Sequence, residues 1–291
     1  MSKAAVGILT FNRSKELRRA VDSVLTQISP GDELIVADNN SSDNTEEVVK
    51  NSYPQVRYIK NSSNLGGPAG RNEIFKICGS DFIINLDDDG WLEEGAVDKV
   101  REAFDSDPAL GVVVFRQRYP ESDAGARQFE QAGREPAHFY EGVCAFRMEM
   151  LADVGLYPDD FFQYHEALDL GIRILDSKWK MVSRPDVVMW HPKVGGGGAN
   201  EDGRWDYYKF RNYLFVVTRR FPFPQNILFF MRKLGLYFFY ALKHKTVNKY
   251  FAALKDVLKA LPDSSKYAKV SRQTVRRYYK VMKRVEREMF D

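Results

Sequence analysis

The first hundred residues alternate short apolar runs with amphipathic runs, and this alternation restricts the fold more than any other feature. Apolar runs typical of buried strands lie at residues 4–10, 33–38, 56–59 and 82–86. Between the first two runs, apolar residues recur at helical spacing, as in Leu17, Val21 and Val24. Strands that alternate with helices over short connections predict an α/β fold, with a mixed, mostly parallel sheet flanked by helices.

Three consecutive aspartates, Asp87, Asp88 and Asp89, follow the fourth apolar run. Their like charges repel one another and cost stability unless a cation binds there. Carboxylates without soft ligands suit Mg²⁺ or Mn²⁺, which can also hold phosphate oxygens. Ligands of such sheets collect at the carboxyl ends of strands. We therefore expect Thr10 and Asp38, which end two other runs, in the same crevice; a solvated acidic turn is the alternative.

Two later features could complete such a site. Glu166 and Asp169 lie three residues apart, on one side of a predicted helix start. Alternatively, they only favour the positive end of that helix. His191 ends an apolar run that predicts a last strand, where a lone histidine is often a structural hydrogen-bonding residue. Together with the aspartates, these residues supply ligands for a hard metal and a spare carboxylate for general-base catalysis.

Glycine-rich segments exclude some functions and suggest others. Residues 64–70 match neither Gly-x-Gly-x-x-Gly nor a loop ending in Gly-Lys-Ser/Thr, which speaks against a dinucleotide oxidoreductase and a P-loop NTPase. Residues 119–138 predict a loop or hairpin insertion. Four consecutive glycines at 195–198 predict a mobile flap over the site.

Charge divides the chain into an acidic body and a basic tail. Residues 1–203 hold 22 Lys and Arg against 34 Asp and Glu, whereas residues 204–291 hold 21 against 6. We expect a catalytic domain at 1–205, with a nucleotide half at 1–90 and an acceptor half at 91–205, and a basic, aromatic helical region at 206–291. That region can lie in a membrane interface or pack on the catalytic domain; no nucleic-acid recognition module is visible in it.

The remaining composition predicts a cytoplasmic protein. Two cysteines, Cys78 and Cys144, make no disulfide framework. The N-terminus is too soon interrupted by polar residues for a signal peptide. The sequence contains no run of 18 uncharged apolar residues, so a membrane-spanning helix is not expected. Contact with the membrane is therefore expected to be peripheral, on the inner membrane face, through residues 206–291; the oligomeric state is left open.

Five runs of sequence in order, spread over roughly residues 4–215, resemble family 2 glycosyltransferases with the GT-A fold: 6–13, 34–43, 64–72, 85–89 and 161–173. The resemblance implies inverting transfer of a sugar from a UDP- or dTDP-sugar to a hydroxyl acceptor, in glycan, polysaccharide or glycolipid assembly. It implies that Asp38 accepts a hydrogen bond from a pyrimidine N3–H. The nucleotide-sugar-binding residues it implies are Thr10, Asn12, Arg13, Asp38, Gly67, Arg71, Asp87 and Asp88.

The resemblance also implies a metal site and an acceptor side. Mn²⁺ or Mg²⁺ would be held by Asp87, Asp89 and His191. The acceptor would lie near His165, Arg204, Tyr208 and Arg211. Members often carry Glu-Asp-x-Asp-Leu where this chain has Glu-Ala-Leu-Asp-Leu at 166–170, so that Ala167 replaces the usual base. Glu166 is then the favoured base, with Asp169 as the alternative.

Three other functions remain open at this point. A polyprenyl-phosphate glycosyltransferase, whose acceptor is a lipid phosphate, would explain the basic, aromatic tail. A non-catalytic nucleotide-sugar binding module would explain Ala167. A nucleotidyltransferase is less favoured, because no basic triphosphate loop follows the first strand.

Overall fold

The computed structural model describes residues 1–121, 136, 139, 141–192 and 203–290, with side chains described as far as Val281. The flap predicted at 195–198 and most of the insertion predicted at 119–138 lie outside these residues. Within them the chain forms an 8-stranded sheet. Its strands are β1 (Ala4–Thr10), β2 (Glu33–Asp38), β3 (Arg57–Lys60), β4 (Phe82–Asp87), β5 (Trp91–Leu92), β6 (Leu110–Arg118), β7 (Val143–Arg147) and β8 (Lys180–Trp190).

The strand order is β3-β2-β1-β4-β7-β6-β8-β5. Strand β1 pairs in parallel with β2 and β4, β2 with β3, and β6 with β8. Strand β7 is antiparallel to both β4 and β6, and β5 is antiparallel to β8. The sheet is therefore mixed, with parallel pairing throughout its N-terminal half. In the register, Thr10 lies beside Asp38 and Leu9 beside Asp87, so the ends of β1, β2 and β4 meet at one edge.

Helices cover both faces of the sheet, because alternate residues of a strand point to opposite faces. On one face, Val6 and Ile8 pack with α1 (Ser14–Leu25), α2 (Thr45–Ser52) and α4 (Ala96–Ser106). On the other, Ala5 and Ile35 pack with α3 (Gly66–Ile77), α5 (Met148–Val154) and α6 (Glu166–Leu175). The strand before His191 begins at Lys180, earlier than the apolar run, and its first half has no apolar run because buried side chains alternate with partly exposed ones.

The C-terminal part is helical, as predicted, and continues the second face. It comprises α7 (Arg204–Arg220), α8 (Gln225–Lys243), α9 (Val247–Ala260), a 3₁₀ turn (Leu261–Lys266) and α10 (Arg272–Phe290). Phe210 of α7 contacts Tyr237 of α8 and Tyr250 of α9, with ring centroids 4.8 Å apart in both pairs. Asp176, just after α6, accepts hydrogen bonds from the Ser271 backbone N–H (2.9 Å) and the Thr274 hydroxyl (2.5 Å).

The buried side chains of these helices join the same cluster as those of the sheet's second face. The predicted division at residue 205 falls within the first turn of α7, and it stays a prediction. Within the described ranges, no helix has both the length and the hydropathy that a bilayer span requires.

Candidate active site

A cavity of about 440 Å³ opens at the carboxyl ends of β1 and β4. The two strands are neighbours in the sheet, and the loops that follow them both line the cavity and contact each other through Arg13 and Asp88. Polar side chains and backbone dominate its lining. The described lining residues are Leu9, Thr10, Phe11, Arg13, Asn39, Asn64, Gly66, Gly67, Arg71, Asp87, Asp88, Asp89, Phe162, Gln163 and His191.

Asp87, Asp89 and His191 form one ligand set inside the cavity, with ligand atoms that all lie within 4.8 Å of one another. His191 Nε2 lies 3.0 Å from Asp89 Oδ1 and 3.9 Å from Asp87 Oδ2. Burial lowers the pKa of His191, but the hydrogen bond to Asp89 and the two carboxylate charges outweigh it and raise the pKa to about 9. Carboxylate oxygens with one imidazole fit a divalent metal such as Mn²⁺ or Mg²⁺.

Arg13 forms ion pairs with two carboxylates of the triplet, those of Asp88 and Asp89. Its Nη1 lies 2.8 Å from Asp88 Oδ1 and 2.6 Å from Asp89 Oδ2. Burial raises the pKa of Asp88 to about 6, since the charge of Asp89 adds to it and Arg13 opposes it only in part. Arg13, Arg71 and a protonated His191 together balance the charge of the three aspartates, so a divalent cation would bind here in place of the His191 proton.

Arg71 is a buried cation that lines the cavity. It donates to Asp87 Oδ1 (2.5 Å) and Asn85 Oδ1 (3.0 Å), and its Nε lies 3.4 Å from Glu141 Oε2. Gly142 is required beside this group, because a Cβ there would lie 2.0 Å from Asp87 Oδ2. Glu141 was not predicted from the sequence, and no motif around it offered a signal.

The N-terminus of α3 forms the facing wall. Gly66 has a φ of +82°, and a Cβ there would lie 2.3 Å from the Phe162 carbonyl oxygen. The Gly67 N–H donates to that same oxygen at 2.9 Å, which fixes the helix start against the loop before α6. The Gly66 N–H donates to Asn64 Oδ1 at 2.9 Å and Pro68 has no N–H, so it is the positive end of the helix that favours an anionic group such as a diphosphate.

Two residues predicted to bind nucleotide lie just outside the described lining. Asp38 is fully buried, and accepts hydrogen bonds from the Tyr58 hydroxyl (2.6 Å) and the Ser41 N–H (2.7 Å). Asn12, whose φ is +55°, accepts from the Ser42 N–H at 2.8 Å. Both side chains shape the loops beside Thr10 and Asn39, which do line the cavity.

Glu166, the favoured base, begins α6 and is buried next to Glu141. The two carboxyl groups interact, and a hydrogen bond between them would require a proton on one of them. Burial raises the pKa of both groups above the ordinary glutamate range, and the charge of Glu166 raises the pKa of Glu141 further. Glu141 Oε2 lies 3.5 Å from a Cβ position on Gly67, so the pair stands directly behind the cavity wall.

Asp169, the alternative base, occupies a different environment. Its carboxylate is fully buried between two guanidinium groups, 2.9 Å from Arg173 Nη2 and 2.7 Å from Arg220 Nε. Arg173 also donates to the carbonyls of Val154, Gly155 and Leu156. Neither Glu166 nor Asp169 is among the described residues that line the cavity, and the contacts of Asp169 are those of a group that fastens α7 to α6.

The residues predicted on the acceptor side lie around the start of α7. Tyr208 stacks on Phe162 of the cavity wall, with ring centroids 5.3 Å apart. Arg211 lies over the Tyr208 ring and donates to the Asp160 carbonyl at 2.7 Å. His165 packs on Tyr213, and removal from water lowers its pKa to about 4. Arg204 is the first residue of α7.

The family model of glycosyl transferase family 2 matches residues 5–161, more than half of the chain. The chain belongs to glycosyl transferase family 2. The family, the mixed α/β fold and the glycosyltransferase class predicted from the sequence are thereby confirmed.

One relative and two solved structures are similar over most of the chain. The N-acetylglucosaminyl-diphospho-decaprenol L-rhamnosyltransferase of Mycobacterium tuberculosis is 22% identical over 254 residues, 72% of this chain and 83% of the relative. S. aureus TarS 1-349 in complex with UDP-GlcNAc has a TM-score of 0.66 at 17% identity, covering 89% of this chain and 82% of that one. The Pyrobaculum calidifontis mannosyltransferase PcManGT, in complex with GDP-Man and Mn²⁺, has a TM-score of 0.59 at 17% identity, with 89% and 76% covered.

Proposed function

We propose that this family 2 glycosyltransferase is a metal-dependent, inverting enzyme that moves a sugar from a UDP- or dTDP-sugar to a hydroxyl acceptor. One observation carries the proposal. A single cavity joins the Asp87–Asp89–His191 ligand set, the guanidinium groups of Arg13 and Arg71, and the N-terminus of α3. These are the groups that an anionic leaving nucleoside diphosphate requires.

The donor is proposed to lie along β1 with its diphosphate between the ligand set and the start of α3. A divalent metal bound by Asp87, Asp89 and His191 would supply Lewis-acid stabilisation of the leaving diphosphate. In this proposal Thr10 and Asn39 bind the nucleoside, and Arg13 and Arg71 bind the diphosphate; the support is that all four line the cavity. A pyrimidine contact by Asp38 stays a prediction, since Tyr58 and Ser41 occupy its oxygens here.

Glu166 is proposed as the general base that removes the proton of the attacking hydroxyl. General-base help of this kind contributes about 10²–10⁴-fold to a rate. Its raised pKa brings it nearer neutral pH, where a base accepts a proton more readily. Glu141 is proposed as a positioning residue that shares the proton with Glu166. Asp169, neutralised by Arg173 and Arg220, is proposed to be structural.

The acceptor is proposed to be lipid-linked. The support comes from the name of the Mycobacterium tuberculosis relative, which acts on a diphospho-decaprenol, and from the basic, aromatic character of residues 206–291. Location in the cytoplasm with peripheral contact at the inner membrane face belongs to the same proposal. Transfer to a lipid phosphate instead of a sugar hydroxyl is the competing outcome that acceptor profiling would reveal.

The experiment begins with a thermal-shift screen of nucleotide-sugars with Mn²⁺ or Mg²⁺, in which a ligand at 100 times its Kd adds about 2.7 kcal/mol to stability. Transfer from the identified donor is then compared between the wild type and Asp89→Ala. We expect loss of transfer and of metal-dependent donor binding in the variant. Undiminished transfer would contradict the metal assignment, and donor binding without transfer to any acceptor would favour a non-catalytic binding module.

A further inference from the structure

The outer face of α8 carries an apolar surface that the described residues leave uncovered. Leu228 is 65% exposed, Met231 61% and Phe239 71%. At 100° per residue, these side chains lie on one side of the helix together with Gly235. The outer α8 surface is defined by Ile227, Leu228, Met231, Leu236, Phe239 and Leu242, all at least half exposed.

This face is additional to the one that packs on the protein. Ala241 is buried, and Leu234 and Tyr237 pack against the core cluster beneath the helix. A helix that stabilises the fold through one face has no packing reason to carry large apolar side chains on the other. A contiguous exposed apolar surface of this kind marks a contact with a protein or a membrane.

Cations accompany the outer α8 surface. Residues 225–260 contain seven Lys and Arg and one acid, Asp256. The carboxylate of Asp256 accepts a hydrogen bond from the Tyr207 hydroxyl at 2.5 Å, so it faces the protein. Arg232 and Lys243 are exposed and lie beside the apolar residues on the helix. The partner is therefore apolar in its interior and negatively charged at its surface.

We propose that the outer α8 surface docks on an anionic lipid bilayer. Phe239 and Met231 would insert among the acyl chains nearest the headgroups, while Arg232 and Lys243 would contact the anionic headgroups. A second copy of this chain fits less well. A two-fold contact places the same patch on both sides of the interface, so the cations would face each other.

The purpose of this docking rests on the proposed lipid-linked acceptor. The packing of the helices connects the outer α8 surface with the cavity. Phe210 of α7 contacts Tyr237 on the inner face of α8. Tyr208, two residues before Phe210, stacks on Phe162 of the cavity wall. One helix therefore separates the membrane-facing surface from the cavity, which would place the cleft close to the bilayer surface.

The test is flotation of the full-length protein with vesicles of phosphatidylcholine alone or mixed with phosphatidylglycerol. We expect binding to the mixed vesicles that weakens with salt. The double variant Met231→Ser/Phe239→Ser should bind about tenfold more weakly or worse. Arg232→Glu/Lys243→Glu should lose about fivefold for each cation removed. The exposed Lys15→Glu, on α1, is the matched control and should bind like the wild type.

Unaltered thermal transitions would show that the variants fold. Equal binding to both vesicle types, or variants that bind like the wild type, would overturn the proposal. So would a wild-type dimer in sedimentation velocity that Met231→Ser/Phe239→Ser converts to a monomer. Transfer to a water-soluble acceptor should be unchanged in the variants. If the wild type transfers to no acceptor, the proposed function fails, while the vesicle result still decides the docking.

Discussion

Replacing Asp169 with asparagine and Glu166 with glutamine should cause opposite defects, although the two residues are three positions apart on α6. Asp169→Asn removes the negative charge between Arg173 and Arg220 and leaves the two cations facing each other without a carboxylate. Breaking a buried ion pair by removing one partner costs about 3–5 kcal/mol. Both guanidinium groups retain 11% side-chain exposure, so we expect the lower part of this range.

For a chain of this size, a loss of about 3 kcal/mol lowers Tm by on the order of 5–10 °C. The rate of transfer by the folded Asp169→Asn protein should change little. Glu166→Gln should keep its Tm, since the amide can still hydrogen-bond to Glu141, and should lose about 10²–10⁴-fold in kcat.

The assay pairs a thermal melt followed by circular dichroism with the release of nucleoside diphosphate from the identified donor. Glu149→Gln, on the exposed side of α5, is the control for the same chemical change. Full kcat in Glu166→Gln would refute its role as base. A stable, folded Asp169→Asn protein without activity would show that the two roles are assigned the wrong way round.

Two further outcomes are expected. Because the base must be deprotonated and burial raises the pKa of Glu166 above 4.5, kcat/KM should fall as pH decreases through a value higher than that. Glu141→Leu, which removes the hydrogen bond that lowers the pKa of Glu166, should move that limb to higher pH, and an unmoved limb would argue against the pair. In Gly142→Ala the added Cβ would lie 2.0 Å from Asp87 Oδ2, so metal binding measured by calorimetry should weaken; affinity equal to that of the wild type would contradict the close approach.

Much of the nucleotide side of the site could be predicted, because strand ends are visible in sequence. Thr10 and Asp87 end apolar runs, and parallel pairing brings such ends to one edge. His191 could be predicted for the same reason, because it follows the apolar end of β8, although β8 begins earlier than that apolar run.

The catalytic side depends on contacts between distant segments, which periodicity does not record. Glu166 and Asp169 have the same spacing signature at a helix start. Their difference comes from Glu141, before β7, and from Arg220, 51 residues beyond Asp169. The sequence also left open whether residues 206–291 pack on the protein or contact lipid. In the structure the inner face of α8 packs on the protein and the outer face remains exposed.

The attachments of α6 bear on modularity. Its first residue stands behind the cavity, its fourth binds Arg220 at the end of α7, and Asp176 just after it binds Ser271 and Thr274 at the start of α10. A shortened chain that ended near residue 205 would leave Asp169 without Arg220. The C-terminal helices therefore do not behave as an independent domain that could be exchanged between relatives. A recombinant that kept the tail of another family member would need to inherit α6 with it.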